Sequence, residues 1–132
     1  MLAITTKSPY AVRALCELAR HGAAGPLSIG EIARRRDIPV QFLESLFATL
    51  RRAGILHSQR GVKGGYTFAR RPEDVTVLEV VELLEGELAA EAAPGSIWAE
   101  AVEAARTVLA GVTLAEVAQR ETRAAGAAMY YI

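Results

Sequence analysis

A mainly helical fold carrying one small β-hairpin is what this 132-residue sequence predicts. Three observations lead there. Apolar residues recur at spacings of three and four over most of the chain. Capping pairs stand just ahead of those stretches: Ser28 with Glu31, Thr76 with Glu79, Thr113 with Glu116. The helical pattern breaks at "ILHSQ" and "YTFA", two β-prone runs joined by the glycine-rich "RGVKGG".

The elements follow in order. A first helix is expected from Lys7 to His21, capped by Thr6, with Tyr10, Ala11, Ala14, Leu15, Leu18 and Ala19 on one apolar stripe. Gly22 and "AAGP" end it. A short second helix opens at Ser28 and stops by about Arg36, and "RDIP" is a tight connection. The third helix begins near Pro39, because proline is tolerated in a first turn and not later. Leu43, Leu46, Phe47 and Leu50 form its core face, and Gly54 is its stop. The hairpin comes next, with Gly64 and Gly65 expected to supply positive φ angles to its tip. Beyond "RRPED", a helix from Thr76 runs to about Glu85, and "GELAAEAAPG" is a break. A long helix from Ser96 to Ala110 and a last one from Thr113 to about Arg123 complete the chain. The tail "AAGAAMYYI" receives no assignment.

Composition narrows the function. The chain is 52% hydrophobic, enough for a real core, and its net charge is zero. That zero hides an asymmetry. Up to Arg71 there are twelve Lys and Arg against four acids, a charge of +8; beyond it, three Arg face eleven acids, a charge of −8. A basic half suggests a polyanionic partner. The alternative is a solvated, arginine-rich surface, since 13 of the 15 basic residues are Arg. Cys16 is the only cysteine, which excludes an internal disulfide and fits a reducing compartment. The N-terminus has no basic stretch followed by an apolar one, and glutamates interrupt every apolar run before membrane-spanning length. A cytoplasmic protein with no membrane partner is expected.

The loop "RGVKGGYTFAR" combines glycines with cations and so raises the question of a phosphate cradle. A P-loop needs G-x-x-x-x-G-K-[ST] between a strand and a helix. Here the spacing is too short, Lys63 precedes the paired glycines, and a strand follows. G-x-G-x-x-G is also absent. No nucleophile–base pairing is visible, so no enzyme and no catalytic residue are expected. His21 and His57 are isolated, and neither is assigned a metal. Cys16 beside the apolar stripe reads as a small buried hydrophobe rather than a redox switch.

Three helices followed by a two-stranded hairpin is the order of a winged helix-turn-helix, whose third helix enters the DNA major groove. Gln41, Ser45, Ala48 and Arg52 share the face opposite the core stripe. Gln suits adenine, Ser suits several base edges, and small Ala permits approach to a thymine methyl. Glu44 beside them is either a cytosine reader or a solvated acid. In the wing, Arg60, Lys63, Arg70 and Arg71 supply cations, and Gly64 lets backbone approach phosphate. Arg60 is suited to a narrow, A·T-rich minor groove. Lys7, Tyr10 and Ser28 complete the contacts expected at this point. Residues 1–74 are thus expected to form the winged helix-turn-helix domain. Residues 75–132 supply a linker helix, a long dimerisation helix and a C-terminal helix. The competing reading is a winged-helix protein–protein module docking an acidic partner.

In the long helix, Trp98, Ala101, Ala105, Val108 and Val112 alternate spacings of three and four, a heptad pattern. Ile97, Val102 and Leu109 widen it. A homodimer seam built on Trp98, Ala101, Val102, Ala105, Val108 and Leu109 is expected. The alternative is packing within one chain.

The blocks "TTKSPYAVRALCELA", "SIGEIARRRDIPVQFLESLFATLRRAGIL", "SQRGVKGGYTFAR" and "VTVLEVVELLEG" resemble, in order, the Rrf-two family of bacterial transcriptional regulators. "WAEAVEAARTVLAGVTLAEVAQ" is similar to its dimerisation helix and the helix after it. The resemblance implies homodimers, repressors in many members, on palindromic promoter sites in double-stranded DNA. It implies DNA contacts at Gln41, Phe42, Glu44, Ser45, Arg60 and Gly61. Two departures stand out. The recognition helix starts at Pro39, where members often carry serine. Cluster-binding members place three cysteines after the fourth helix, whereas "GELAAEAAPGSIW" holds no Cys and no His. Glu87 and Glu91 are poor substitutes for thiolate or imidazole. No iron–sulfur cluster and no other cofactor are expected. The signal stays open among a small-molecule effector, a protein effector and none.

Overall fold

The computed structural model describes residues 4–62, 64–88 and 93–130. Helices α1 (Lys7–His21), α2 (Ile29–Arg36) and α3 (Val40–Arg52) come first. The antiparallel strands β1 (Leu56–Gln59) and β2 (Gly65–Phe68) follow, then α4 (Val77–Glu85), α5 (Ile97–Ala110) and α6 (Leu114–Tyr130). Mainly helical with one hairpin is therefore the observed class.

Helix starts follow the capping chemistry in most places. Ser28 Oγ accepts from the Glu31 amide at 3.2 Å, Thr76 Oγ1 from Glu79 at 3.2 Å and Thr113 Oγ1 from Glu116 at 3.2 Å. Each satisfies an amide that the first turn leaves without a helical partner. Thr6 departs from expectation. Its backbone is already helical and its side chain caps nothing. The hydroxyl one residue earlier, Thr5 Oγ1, accepts from the Lys7 amide at 3.2 Å instead. At the far end, α6 continues past Arg123 to Tyr130. Alanine has the highest helix propensity, so "AAGAAM" propagates a helix already nucleated, with Gly126 as its one weak link.

The core is one cluster. Leu15, Ile32, Leu43, Phe47, Leu50, Ile55, Leu56, Val75, Val80 and Leu114 are fully buried in it or nearly so. It gathers residues from α1 to α3, the hairpin, α4 and α6, so the C-terminal helix packs on the same core as the first three. The ring of Phe47 meets Tyr66 edge-on, centroids 5.1 Å apart, which ties β2 to α3. Such a pair contributes about 0.5–1.5 kcal/mol beyond its buried area. A satellite cluster of Val81, Leu88 and Val102 joins α4 to α5.

The hairpin register pairs Leu56 with Phe68 and Gln59 with Gly65. A further bridge extends it: Leu27 donates to Tyr66 O at 3.1 Å and accepts from Tyr66 N at 2.8 Å. One residue just before α2 thus serves as a third, minimal strand. It holds the hairpin against the start of α2.

Candidate nucleic-acid interface

Helix α3 is amphipathic by construction. Leu43, Leu46, Phe47 and Leu50 go inward, and Gln41, Glu44, Ser45, Arg51 and Arg52 stay exposed. Gln41 to Arg52 spans about 16 Å at the helical rise, enough to lie along a groove. Ala48 is half-buried rather than fully presented. Phe42 is half-buried too, its ring edge-on to Tyr10 with centroids 5.6 Å apart. Arg13 sits over that same Tyr10 ring at 5.7 Å and donates to Arg36 O at 2.9 Å. Phe42 and Tyr10 therefore brace α3 against α1.

The turn into α3 is set by Asp37, the one non-glycine residue with positive φ among the described residues, at 54°. Asp tolerates the left-handed region through its short polar side chain. Pro39 follows as the N-cap of α3, with no side-chain cap.

The wing tip obeys two different glycine requirements. Gly61 (φ 113°) and Gly65 (φ 152°) use the region that L side chains avoid. Gly64 does not, against expectation. Its constraint is space, because a Cβ there would lie 2.1 Å from Gln59 O. At Gly65 a Cβ would meet the Leu27 carbonyl at 2.5 Å, so this glycine is what lets the wing press against Leu27 and Ser28. Arg60, Gly61 and Val62 are exposed at the tip, Val62 entirely. Lys63 lies outside the described residues. Lys7 and Ser28 are exposed at the starts of α1 and α2, and the Ser28 hydroxyl is already engaged as a cap.

Part of the first half's positive charge is engaged by carboxylates: five of its ten arginines are paired. Arg34 and Arg35 both bind Glu31, at 2.5 and 3.0 Å. These two guanidiniums pull the Glu31 carboxyl down to about 2. Arg35 and Arg36 also bind Glu17, at 3.2 and 2.8 Å. Arg36 holds Glu121 of α6 with two hydrogen bonds of 2.9 Å. Partial burial pushes the Glu17 carboxyl up, but the hydrogen bonds from Arg36 and Arg35 outweigh it and hold the group below its ordinary value. Arg70 and Arg71 are corrected as wing cations. Arg70 is bound to Glu79 and donates to Asp74 O at 2.7 Å, while Arg71 pairs with Glu73 at 3.2 Å. Both belong to the α4 entrance. Among the described residues, Arg13, Arg20, Arg51, Arg52 and Arg60 of this half have no carboxylate partner, the last three on α3 and the wing. The missed member is Arg51, whose signal was the Arg51–Arg52 doublet closing α3.

Helix α5 shows a divided face. Trp98 is 72% exposed, Val108 66% and Ile97 65%, with Ala101 exposed and Ala105 half-buried between them. Val102 is corrected as a seam residue: only 2% exposed, it packs on Val81 and Leu88 of its own chain. Leu109 turns toward the same cluster. Val102 and Leu109 are the inner edge of the broad apolar surface read from the sequence, and Ile97, Trp98, Ala101 and Val108 are its exposed outer part beside them.

Cys16 is fully buried, and burial followed by the nearby Glu121 charge pushes its thiol up to about 12. Among the described residues no three His, Cys, Asp or Glu gather as a metal site. The donor set after α4 does not fit an iron–sulfur cluster, since no thiol or imidazole lies between Gly86 and Ser96. Glu91, one of the two carboxylates there, is outside the described residues. No helix among the described residues is long and apolar enough to cross a membrane.

A three-helix unit with an exposed third helix and a glycine-tipped hairpin beside it is a winged helix-turn-helix fold. Residues 4–120 match the Rrf2 family model, described as "Iron-dependent Transcriptional regulator", and the chain belongs to this family. It is 32% identical to the HTH-type transcriptional regulator CymR of Bacillus subtilis, over 98% of this chain and 99% of that one. A putative HTH-type transcriptional regulator of Synechocystis is 46% identical over 85 residues, which is 64% of this chain and 58% of the relative. The match to that relative thus spans a little over half its length. Among solved structures, that of CymR, called the global cysteine regulator of B. subtilis, superposes with TM-score 0.82 at 31% identity, covering 91% of this chain and 98% of that one. T. potens IscR gives 0.81 at 37% identity, covering 93% of this chain and 90% of that one.

Proposed function

We propose that the chain is a sequence-specific repressor that binds a palindromic operator as a homodimer, without an iron–sulfur cluster. The observation that supports this best is the selectivity of its charge pairing. Five of the ten arginines of the first half pair with carboxylates, while Arg51, Arg52 and Arg60 on α3 and the wing stay open. In this reading Gln41, Glu44 and Ser45 meet base edges, Arg51 and Arg52 meet phosphate, and Arg60 with Gly61 enters the minor groove. Lys7, Tyr10, Ser28, Phe42, Lys63 and Gly64 line the contact. The stripe of Trp98, Ala101, Ala105 and Val108 forms the dimer seam. It sets two recognition helices on half-sites about one turn, ~10 bp, apart.

Two substitutions separate positioning from reading. Arg60→Ala should weaken binding to all duplexes and lower the slope of log affinity against log salt by about 0.9. Gln41→Ala should leave that slope alone and relax sequence preference by about 1–3 kcal/mol at one base pair of each half-site. Fluorescence anisotropy on salt-titrated duplexes reads both. If neither variant differs from the parent, the assignment of helix and wing fails.

A further inference from the structure

Between α1 and α6 lies a cleft of about 410 Å³ that the DNA-facing surface does not use. Ala19, Ala118 and Pro72 give it an apolar floor, and Arg20 and Arg123 stand at its sides. Neither arginine has a carboxylate partner among the described residues. The carboxylate at the rim, Glu73, is already paired with Arg71 at 3.2 Å. A second cleft of about 330 Å³ shares Ala19 and Pro72 and continues to Phe68 at the end of β2. Together they make a trough from α6 to the base of the wing. Its size falls within the range of small-molecule sites, roughly 300–1,000 Å³. An apolar floor between two open guanidiniums fits a flat apolar body carrying one carboxylate, which arginine binds with two parallel hydrogen bonds.

We infer that this trough is an effector site for a small amphipathic carboxylate. Its route to the DNA-facing helix is short. Arg123 lies two residues beyond Glu121, whose carboxylate holds Arg36 with two bonds of 2.9 Å. Arg36 ends α2, and only Asp37 to Pro39 separate it from α3. A ligand that moves α6 by the width of a hydrogen bond acts on the residue that ends α2, next to the turn into α3. Binding need not involve DNA, whereas the regulatory consequence rests on the function proposed above.

The test is an amide NMR titration of the full chain with 2-naphthoate as the probe. Saturable shifts are expected at residues 19, 20, 73 and 115 to 123. The double variant Arg20→Ala with Arg123→Ala should weaken binding by about tenfold or more. Ala115→Leu, which fills the cleft from α6, should abolish it while far-ultraviolet circular dichroism stays unchanged. Overturning results are no saturable shift at millimolar probe, shifts centred on the exposed stripe of α5, or equal binding by the double variant. The same samples are then mixed with a selected operator duplex. Naphthoate binding without any DNA binding would sink the repressor and leave the site. DNA binding without naphthoate binding would do the reverse. The inference predicts both, with operator affinity changed by saturating naphthoate and naphthoate affinity changed by the same factor in return.

Discussion

Arg36 does the most at the scale of single residues. It is mostly buried, ends α2, and holds carboxylates from α1 and α6. Arg36→Ala should destabilise the fold by about 3 kcal/mol, the scale of breaking a buried ion pair while leaving its partners behind. Urea denaturation measures it. The acids around the fold also set a pH dependence. Glu17 is held below its ordinary value as described. Glu85 behaves alike: partial burial pushes it up, and hydrogen bonds from the Thr5 and Ser8 hydroxyls and the Thr5 amide more than reverse this. A carboxylate depressed in the folded state stabilises fully above its unfolded value. That stabilisation is lost as pH falls through the folded value. Stability should therefore be flat from pH 7 to about 5 and fall below that. Glu17→Gln or Glu85→Gln should flatten the fall; a parallel curve would remove these groups as its cause. Cys16, with its thiol pushed up to about 12, should resist iodoacetamide in the native state and react only on unfolding. Its burial was legible from its place beside the α1 stripe. The partners of Arg36 were not, because Glu121 is 85 residues away and no local spacing announces it.

Elements divide by what sets them. The helices α2, α4 and α5 were legible because each carries its own cap and apolar stripe. The wing was legible as two strands but not as three, since one residue, Leu27, makes the extra bridge and a single residue has no periodicity. Gly65 is the point where that bridge meets the hairpin. Gly65→Ala should cost on the order of 2 kcal/mol, combining an unfavourable φ with a collision against Leu27. It should lower operator affinity more than Arg60→Ala does. A variant as stable and as tight-binding as the parent would refute the role given to that contact. On α5 the sequence pattern showed one wide apolar face because both stripes are apolar. Only the packing of Val102 against Val81 and Leu88 separates the inner from the outer one. Val108→Glu places a charge on the outer stripe and should yield monomers by light scattering, with much weaker operator binding. A dimer that survives it would remove the seam from α5.

For the whole molecule, the distribution of charge outweighs its total. Net charge is zero, yet the carboxylates are spent on Arg34, Arg35, Arg36, Arg70 and Arg71, leaving open cations at the end of α3 and on the wing. The split into a basic and an acidic half could be counted from the sequence. The pairs of Arg34 and Arg35 with Glu31 follow helical spacing, but the partners of Arg36 could not be counted, because they depend on how α6 and α1 pack around α2. The segment between Gly86 and Ser96 offers no thiol or imidazole to hold a cluster. Anaerobically purified protein should accordingly hold no stoichiometric iron or sulfide. The most direct test of the central claim is selection of bound sequences from a random duplex library, followed by salt-titrated affinities for the winners. A palindrome with half-sites about one turn apart, bound by a dimer with a steep salt slope, is the expected result. Weak, salt-labile binding with no sequence preference would contradict it and point to a winged helix that docks an acidic protein.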